Sequence, residues 1–179
     1  MKLHNQRIEG VRIIEAEPFK DDRGMFFRHF CKNEYEENGL NGEIVQTNIS
    51  KNIKKYTLRG MHYQAEPLEE CKTMFCLSGS IYDVIVDLRP DSDTFMQWIS
   101  IELDSKEPKS IYLPAGCANG YLTLEDNTSI LYYMSEFYSP KAYRGFRYND
   151  PAFKIRWPQE PLVISDKDNV YPDFVFKKA

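Results

Sequence analysis

Short strand-like runs, each closed by turn residues, recur along most of this chain, and that rhythm restricts it to an antiparallel sandwich or barrel. Arg7–Glu17 sets Ile8, Val11, Ile13 and Ile14 among polar neighbours and stops at Pro18. Lys20–Gly24 reads as a turn, and Met25–Phe30 as an aromatic strand. Gly42–Ser50 reads as a strand ending in polar Gln46, Asn48 and Ser50. Thr73–Leu77 and Ile81–Leu88, split by Ser78-Gly79-Ser80, carry the signal of a hairpin. Gln97–Leu103 alternates, and Ser110–Leu113 closes on Pro114-Ala115-Gly116. Tyr121–Leu124 and Ser129–Ser135 flank the turn cluster Glu125-Asp126-Asn127. One short helix is expected, with Asn33 as N-cap, Glu36 three residues on and Gly39 as the stop. From Asn149 onward Pro151, Pro158, Pro161 and Pro172 predict an irregular extension over the core. The expectation is an all-β chain folded as a single domain over residues 1–179.

Composition narrows the function classes. The chain has 27 Asp and Glu against 23 Lys and Arg, which argues against a nucleic-acid face but leaves room for a local phosphate pocket. The start, MKLHNQRIEG, lacks the apolar run of a signal peptide, and no stretch is long enough to span a bilayer. The cysteines Cys31, Cys71, Cys76 and Cys117 form no C-x-x-C pair. A cytoplasmic protein with reduced thiols is the expectation.

The chemistry concentrates between Thr57 and Arg89. His62 stands in RGMHYQ, read as a tight polar turn, with Arg59 before it and Lys72 after it. Histidine titrates where proton transfer near neutrality needs it. An isolated histidine is more often structural, but the neighbouring cation shifts the balance. Lys72 reads either as a surface partner of Glu69 and Glu70 or as a fixed charge for a developing oxyanion. The chain holds three histidines, and Gln64 stands two after His62, so no imidazole cluster for a barrel metal site is expected. In SILYYMS, Ile130, Tyr132 and Met134 share one face of a strand and Leu131 and Tyr133 the other. The pattern does not say which tyrosine points inward.

The chain resembles the dTDP-4-dehydrorhamnose 3,5-epimerase family of cupins. The resemblance is carried by RGMHYQ, Lys72 and GSIYDVIVDLRPDS, and by DDRGMF at Asp21–Phe26 and QTNIS at Gln46–Ser50. LPAGCANGY at Leu113–Tyr121, YNDP at Tyr148–Pro151 and SDKD at Ser165–Asp168 continue it in the family's order. The resemblance implies a cupin-type jelly-roll β-barrel, a homodimer with an amino-terminal segment crossing to the partner, and no cofactor. It implies Asp168 as the partner that orients His62, and Tyr132 as the catalytic acid. Arg23, Gln46, Asn48 and Arg59 match ligand-contacting positions, and Lys167 belongs to the SDKD segment. Phe26 and Tyr138 read as rings for a base or sugar, or as core. The implied reaction acts on a nucleotide-diphosphate 4-keto-6-deoxy sugar. His62 removes an acidified C3 or C5 proton, Lys72 holds the enolate oxygen, and Tyr132 returns a proton from the other face.

Three positions depart from the family's pattern. Asn119 stands for a histidine, Arg28 for a glutamate, and Tyr143 for a glutamate before Arg144-Gly145. These departures imply a changed ligand-reading shell and resemble the branch that acts on GDP-linked 4-keto-6-deoxyheptoses for capsules. dTDP- and CDP-linked hexoses, a 3,4-ketoisomerase and a non-catalytic sugar-binding cupin are the competing readings.

Overall fold

His62 lies on a strand, not in a polar turn. The computed structural model describes residues 1–176. One sheet runs β1 (Lys2–Asn5), β2 (Arg12–Glu15), β10 (Lys109–Leu113), β7 (Lys72–Ser78), β12 (Thr128–Met134) and β5 (Gln46–Asn52). The second runs β13 (Tyr143–Gly145), β6 (Leu58–Gln64), β11 (Cys117–Thr123), β8 (Ser80–Asp87) and β9 (Trp98–Asp104). A small ribbon, β3 (Phe19–Asp21) and β4 (Gly24–Phe26), stands apart. The helices are α1 (Lys32–Glu37) and α2 (Asp166–Asn169). The all-β, cupin-type jelly roll implied by the sequence is what forms.

The expected hairpin of Thr73–Leu77 with Ile81–Leu88 does not exist. β7 lies in the first sheet between β10 and β12, and β8 lies in the second between β11 and β9. Gly79, with φ of +73°, turns the chain from one sheet to the other. A built Cβ there would meet Thr128 at under van der Waals distance, so the turn requires glycine. β8 is buried on both faces. Ile81 and Ile85 join Met74, Ile111 and Ile130 between the sheets, while Val84 and Val86 pack outward on Met61, Phe146 and Phe153. That double burial is why the run reads as nearly continuous apolar sequence.

Other boundaries move for local reasons. Arg7–Glu17 is not one strand. Gln6 to Val11 closes a turn, with Gly10 at φ +83°, and Ile8 and Val11 plug the core. Met25–Phe30 is strand only to Phe26, and the strand expected at Gly42–Ser50 begins at Gln46. Helix α1 begins at Lys32 with Cys31 as an uncapped N-cap, so Asn33 is inside it. Gly39, at φ +72°, ends it as expected. α1 covers an aromatic cluster through Tyr35, beside Tyr112 and Ile14.

The tail is largely irregular and wraps the outer face of the second sheet through Trp157 and Phe174. The LRPDS segment is a turn pinned by Asp87, whose carboxylate takes Arg89, Ser92 and Thr94. Burial would raise that carboxyl, but those hydrogen bonds hold it at about 2. Among the described residues no helix is long and apolar enough to cross a membrane.

Candidate active site

Side chains from both sheets line a cavity of about 410 Å³, within the usual range of about 300–1,000 Å³ for small-molecule sites. The first sheet supplies its side chains in two rows. Lys72, Met134 and Gln46 lie opposite one another across β7, β12 and β5, and Met74, Tyr132 and Asn48 form the next row. Strand alternation sends Tyr133 to the other face, where it packs on His29 and Phe30. The structure therefore places Tyr132, and not Tyr133, on the cavity.

The second sheet supplies Arg59, His62, Asn119 and Tyr121. Arg59 and His62 are three apart on a strand, which should put them on opposite faces. A bulge resolves this: Asn119 pairs with His62 and Tyr121 with Arg59, so three steps on β6 match two on β11. Gly60 and Gly120 make the bulge. A Cβ on Gly60, at φ +120°, would strike Gly120, and one on Gly120 would reach Met61 Sδ at 2.5 Å.

His62 is held from behind by the tail. Its Nε2 lies 2.7 Å from Asp168 Oδ1. The other carboxylate oxygen accepts from the Gly60 amide at 3.3 Å. Donation from Nε2–H to Asp168 leaves Nδ1 as the basic nitrogen. The SDKD sequence explains the placement. Ser165 is the N-cap of α2, and its hydroxyl accepts from the Asp168 amide at 3.1 Å. Asp168 sits at the capping-box position, but its carboxylate turns to His62. Burial works to raise the Asp168 carboxyl; the His62 bond and charge, the Gly60 amide and Ser165 outweigh it and keep it below the ordinary value.

Lys72 and Glu70 are both largely buried at the cavity, with Nζ 3.4 Å from Oε1. The surface pairing and the site lysine are thus one arrangement. Tyr132 is pushed up by burial and by Glu70, against the effect of Arg59, so its phenol stays protonated near neutrality. Arg59 donates Nε to Asn52 Oδ1 at 2.8 Å. Asn52 in turn reaches the Tyr121 hydroxyl, which donates to Ser50 at 2.8 Å. This chain links the two sheets and fixes the guanidinium.

Asn119 donates Nδ2 to Asp83 Oδ1 at 2.7 Å and to the Val84 carbonyl at 3.3 Å. Its amide is thereby oriented. Among the described residues Asp83 Oδ2 has no partner, and burial pushes this carboxyl up to about 7.

Aromatic rings close the mouth. Tyr143 lies 5.2 Å from His62 and 5.3 Å from Tyr138, centroid to centroid. Lys167 Nζ sits 4.4 Å over the Tyr143 ring. Gln64 pins the mouth segment by accepting from the Ser139 amide at 2.6 Å and donating to the Phe137 carbonyl at 3.2 Å. The Tyr138 amide donates to Gln46 Oε1.

Three of the candidate ligand contacts lie elsewhere. Arg23 pairs with Asp21 on the projecting β3–β4 ribbon, where Phe26 is 76% exposed. Arg28 pairs with Glu34 of α1. None of the three lines the cavity of its own chain. Conversely, Glu70, Asp83, Tyr121 and Ser50 were not singled out from the sequence as site residues. For Asp83 there was a signal, a lone carboxylate inside the apolar run IYDVIV. Among the described residues there is no group of three or more His, Cys, Asp or Glu arranged to hold a metal ion.

A family model described as dTDP-4-dehydrorhamnose 3,5-epimerase matches residues 5–175. The Shigella flexneri dTDP-4-dehydrorhamnose 3,5-epimerase is 37% identical over 169 residues, covering 94% of this chain and 93% of that protein. The Bacillus anthracis dTDP-4-dehydrorhamnose 3,5-epimerase, solved with TDP and PPi bound, superposes with a TM-score of 0.93 at 36% identity, covering 97% of this chain and 99% of that one. ChmJ, a 3'-monoepimerase from Streptomyces bikiniensis solved with dTDP-quinovose, superposes with a TM-score of 0.88 at 31% identity, covering 95% and 86%. With this site and these relatives over nearly its whole length, the chain belongs to the dTDP-4-dehydrorhamnose 3,5-epimerase family, and is an isomerase of nucleotide sugars.

Proposed function

We propose that this chain inverts C3, C5 or both in a nucleotide-diphosphate 4-keto-6-deoxy sugar, without a cofactor, by proton removal on one face and return on the other. The observation that carries this reading is the opposition of two groups across one cavity. The Asp168-oriented His62 stands on the second sheet, and Tyr132 beside Lys72 on the first. His62 Nδ1 takes the proton acidified by the C4 ketone. The Lys72 ammonium, largely screened from water, stabilises the enolate oxygen. Tyr132, kept protonated by its surroundings, donates to the far face. Arg59 takes a phosphate oxygen pair, for which its fork is suited.

The shell around these groups supports a reading of the nucleotide and sugar. Asn119 and Tyr143 replace ionisable family residues by neutral ones, which favours a sugar unlike that of the rhamnose pathway. A GDP-linked 4-keto-6-deoxyheptose for capsule synthesis is the preferred substrate class. The dTDP-linked hexose is the alternative, favoured by relatives solved with dTDP ligands.

The chain acts as a single domain and as a homodimer. The exposed ribbon supports the dimer, because Phe19 and Phe26 are 66% and 76% exposed beside Arg23. A cation and two rings projecting from the chain suit the nucleotide in a second copy's cavity.

The test is incubation in heavy water with dTDP-, GDP- and CDP-linked 4-keto sugars. Deuterium at C3 or C5, with the ketone retained at C4 by NMR, supports an epimerase. A displaced ketone means a ketoisomerase, and no uptake with any sugar means a binding protein.

A further inference from the structure

Glu70 is a carboxylate on the cavity that the proton-transfer scheme leaves without a task. It stands two residues before Lys72, at the entrance to β7. Its side chain is 8% exposed, and that of Lys72 13%. The two charges lie 3.4 Å apart, beyond the roughly 2.7–2.9 Å of a charge-assisted hydrogen bond. A buried ion pair with such loose geometry needs further hydrogen bonds to offset its desolvation. The pair borders the substrate cavity, so a ligand is well placed to supply them. Glu70 also helps to raise the Tyr132 phenol, after burial, which sets it near the proposed acid.

An ammonium beside a carboxylate offers a donor next to an acceptor. Its complement is a carbonyl oxygen next to a hydroxyl, that is, an α-hydroxy ketone. A 4-keto sugar has that pair on one side only. The hydroxyl at C3 neighbours the ketone, whereas C5 carries the ring oxygen and a carbon substituent, neither of which donates. We propose that Glu70 is a substrate-binding residue that accepts a hydrogen bond from the C3 hydroxyl, beside the ketone held by Lys72, and so fixes the ring's sense in the cavity. This assignment rests on the epimerase reading. It makes Glu70 a determinant of which α-carbon faces His62.

Glu70 could instead merely steady Lys72. Crossing the protein change with a substrate change separates the two roles. Deuterium exchange at C3 and at C5 would be measured with the accepted 4-keto nucleotide sugar and with its counterpart carrying hydrogen in place of the C3 hydroxyl, and compared at whichever carbon the parent exchanges. The parent, Glu70→Ala and the isosteric Glu70→Gln would be compared. A hydrogen bond to a charged group predicts that losing the hydroxyl lowers kcat/KM about 10- to 100-fold in the parent. The same loss should cost Glu70→Ala less than about threefold, with Glu70→Gln between them, because its amide oxygen accepts without charge. Equal penalties in the parent and in both variants overturn the assignment and leave Glu70 as a prop for Lys72. If Glu70→Ala fails to fold, an undiminished penalty in Glu70→Gln is enough to overturn it. A folded parent that exchanges no 4-keto sugar at all overturns the epimerase reading itself, and this assignment with it.

Discussion

Asp168 Oδ1 lies 2.7 Å from His62 Nε2, although 106 residues separate the two in the chain. The carboxylate is delivered by a four-residue helix capped by Ser165 and fixes one tautomer of the imidazole. His62→Asn is expected to lower C3 and C5 deuterium exchange about 10²–10⁴-fold. Asp168→Asn should also lower it, and the double variant should lose little beyond His62→Asn, because the two act as a unit. Multiplied losses in the double variant would show that Asp168 acts elsewhere.

Tyr132→Phe keeps the ring and deletes the hydroxyl. Proton removal by His62 should survive and inversion should not, because the enolate is then reprotonated from the His62 face. Mass-spectrometric uptake beside NMR of the product reads both steps. Uptake and inversion surviving together would exclude Tyr132 as the acid.

Asn119 is oriented by Asp83 and the Val84 carbonyl and borders the same cavity. Asn119→His should change the ranking among dTDP-, GDP- and CDP-linked sugars, or the ratio of C3 to C5 exchange, by at least about threefold, since one polar contact is worth about 1 kcal/mol. An unchanged ranking and ratio would remove this position from substrate reading.

Asp83 links the site to stability. Burial raises its carboxyl from 3.8 to about 7, against the smaller effects of Asn119 and Lys72. Below about pH 4 the native and unfolded chains both hold this proton. Between about pH 4 and pH 7 only the native chain keeps it, so this contribution to stability falls as pH rises. The fall is about 1.4 kcal/mol for each unit separating the two pKa values, and is complete above the native pKa. Asp83→Asn can still accept from Asn119 and lacks the titration. Denaturant titrations should show it gaining on the parent between about pH 5 and pH 8, by a few kcal/mol on that scale. A difference independent of pH would mean that Asp83 does not titrate there.

The three histidines sit apart. His4 is on β1 beside Glu15, His29 packs on Phe75, and His62 faces the cavity. Activity is therefore expected to survive a chelator unchanged. Loss on chelation with recovery on adding a divalent ion would refute metal independence.

The sequence alone determined the strand-rich architecture, the turn glycines and the motifs around His62 and Lys72, because alternation and turn chemistry act over a few residues; Asp168 entered only through the family resemblance, and the cap read at Asn33 lies inside α1. The sequence also placed Tyr132 and Tyr133 on opposite faces. Only the tertiary structure decided which of the two faces the cavity, because that depends on which sheet β12 joins. It alone sent β7 and β8 to different sheets, since pairing is chosen by distant partners and not by the turn between them. It alone brought Arg59 and His62 onto one face, because the bulge that aligns them exists only where β6 meets β11. The burial of Glu70 beside Lys72 escaped the sequence for a related reason. A carboxylate looks the same in print whether water or a cavity wall surrounds it, and burial, which sets its chemistry, is a property of the folded chain.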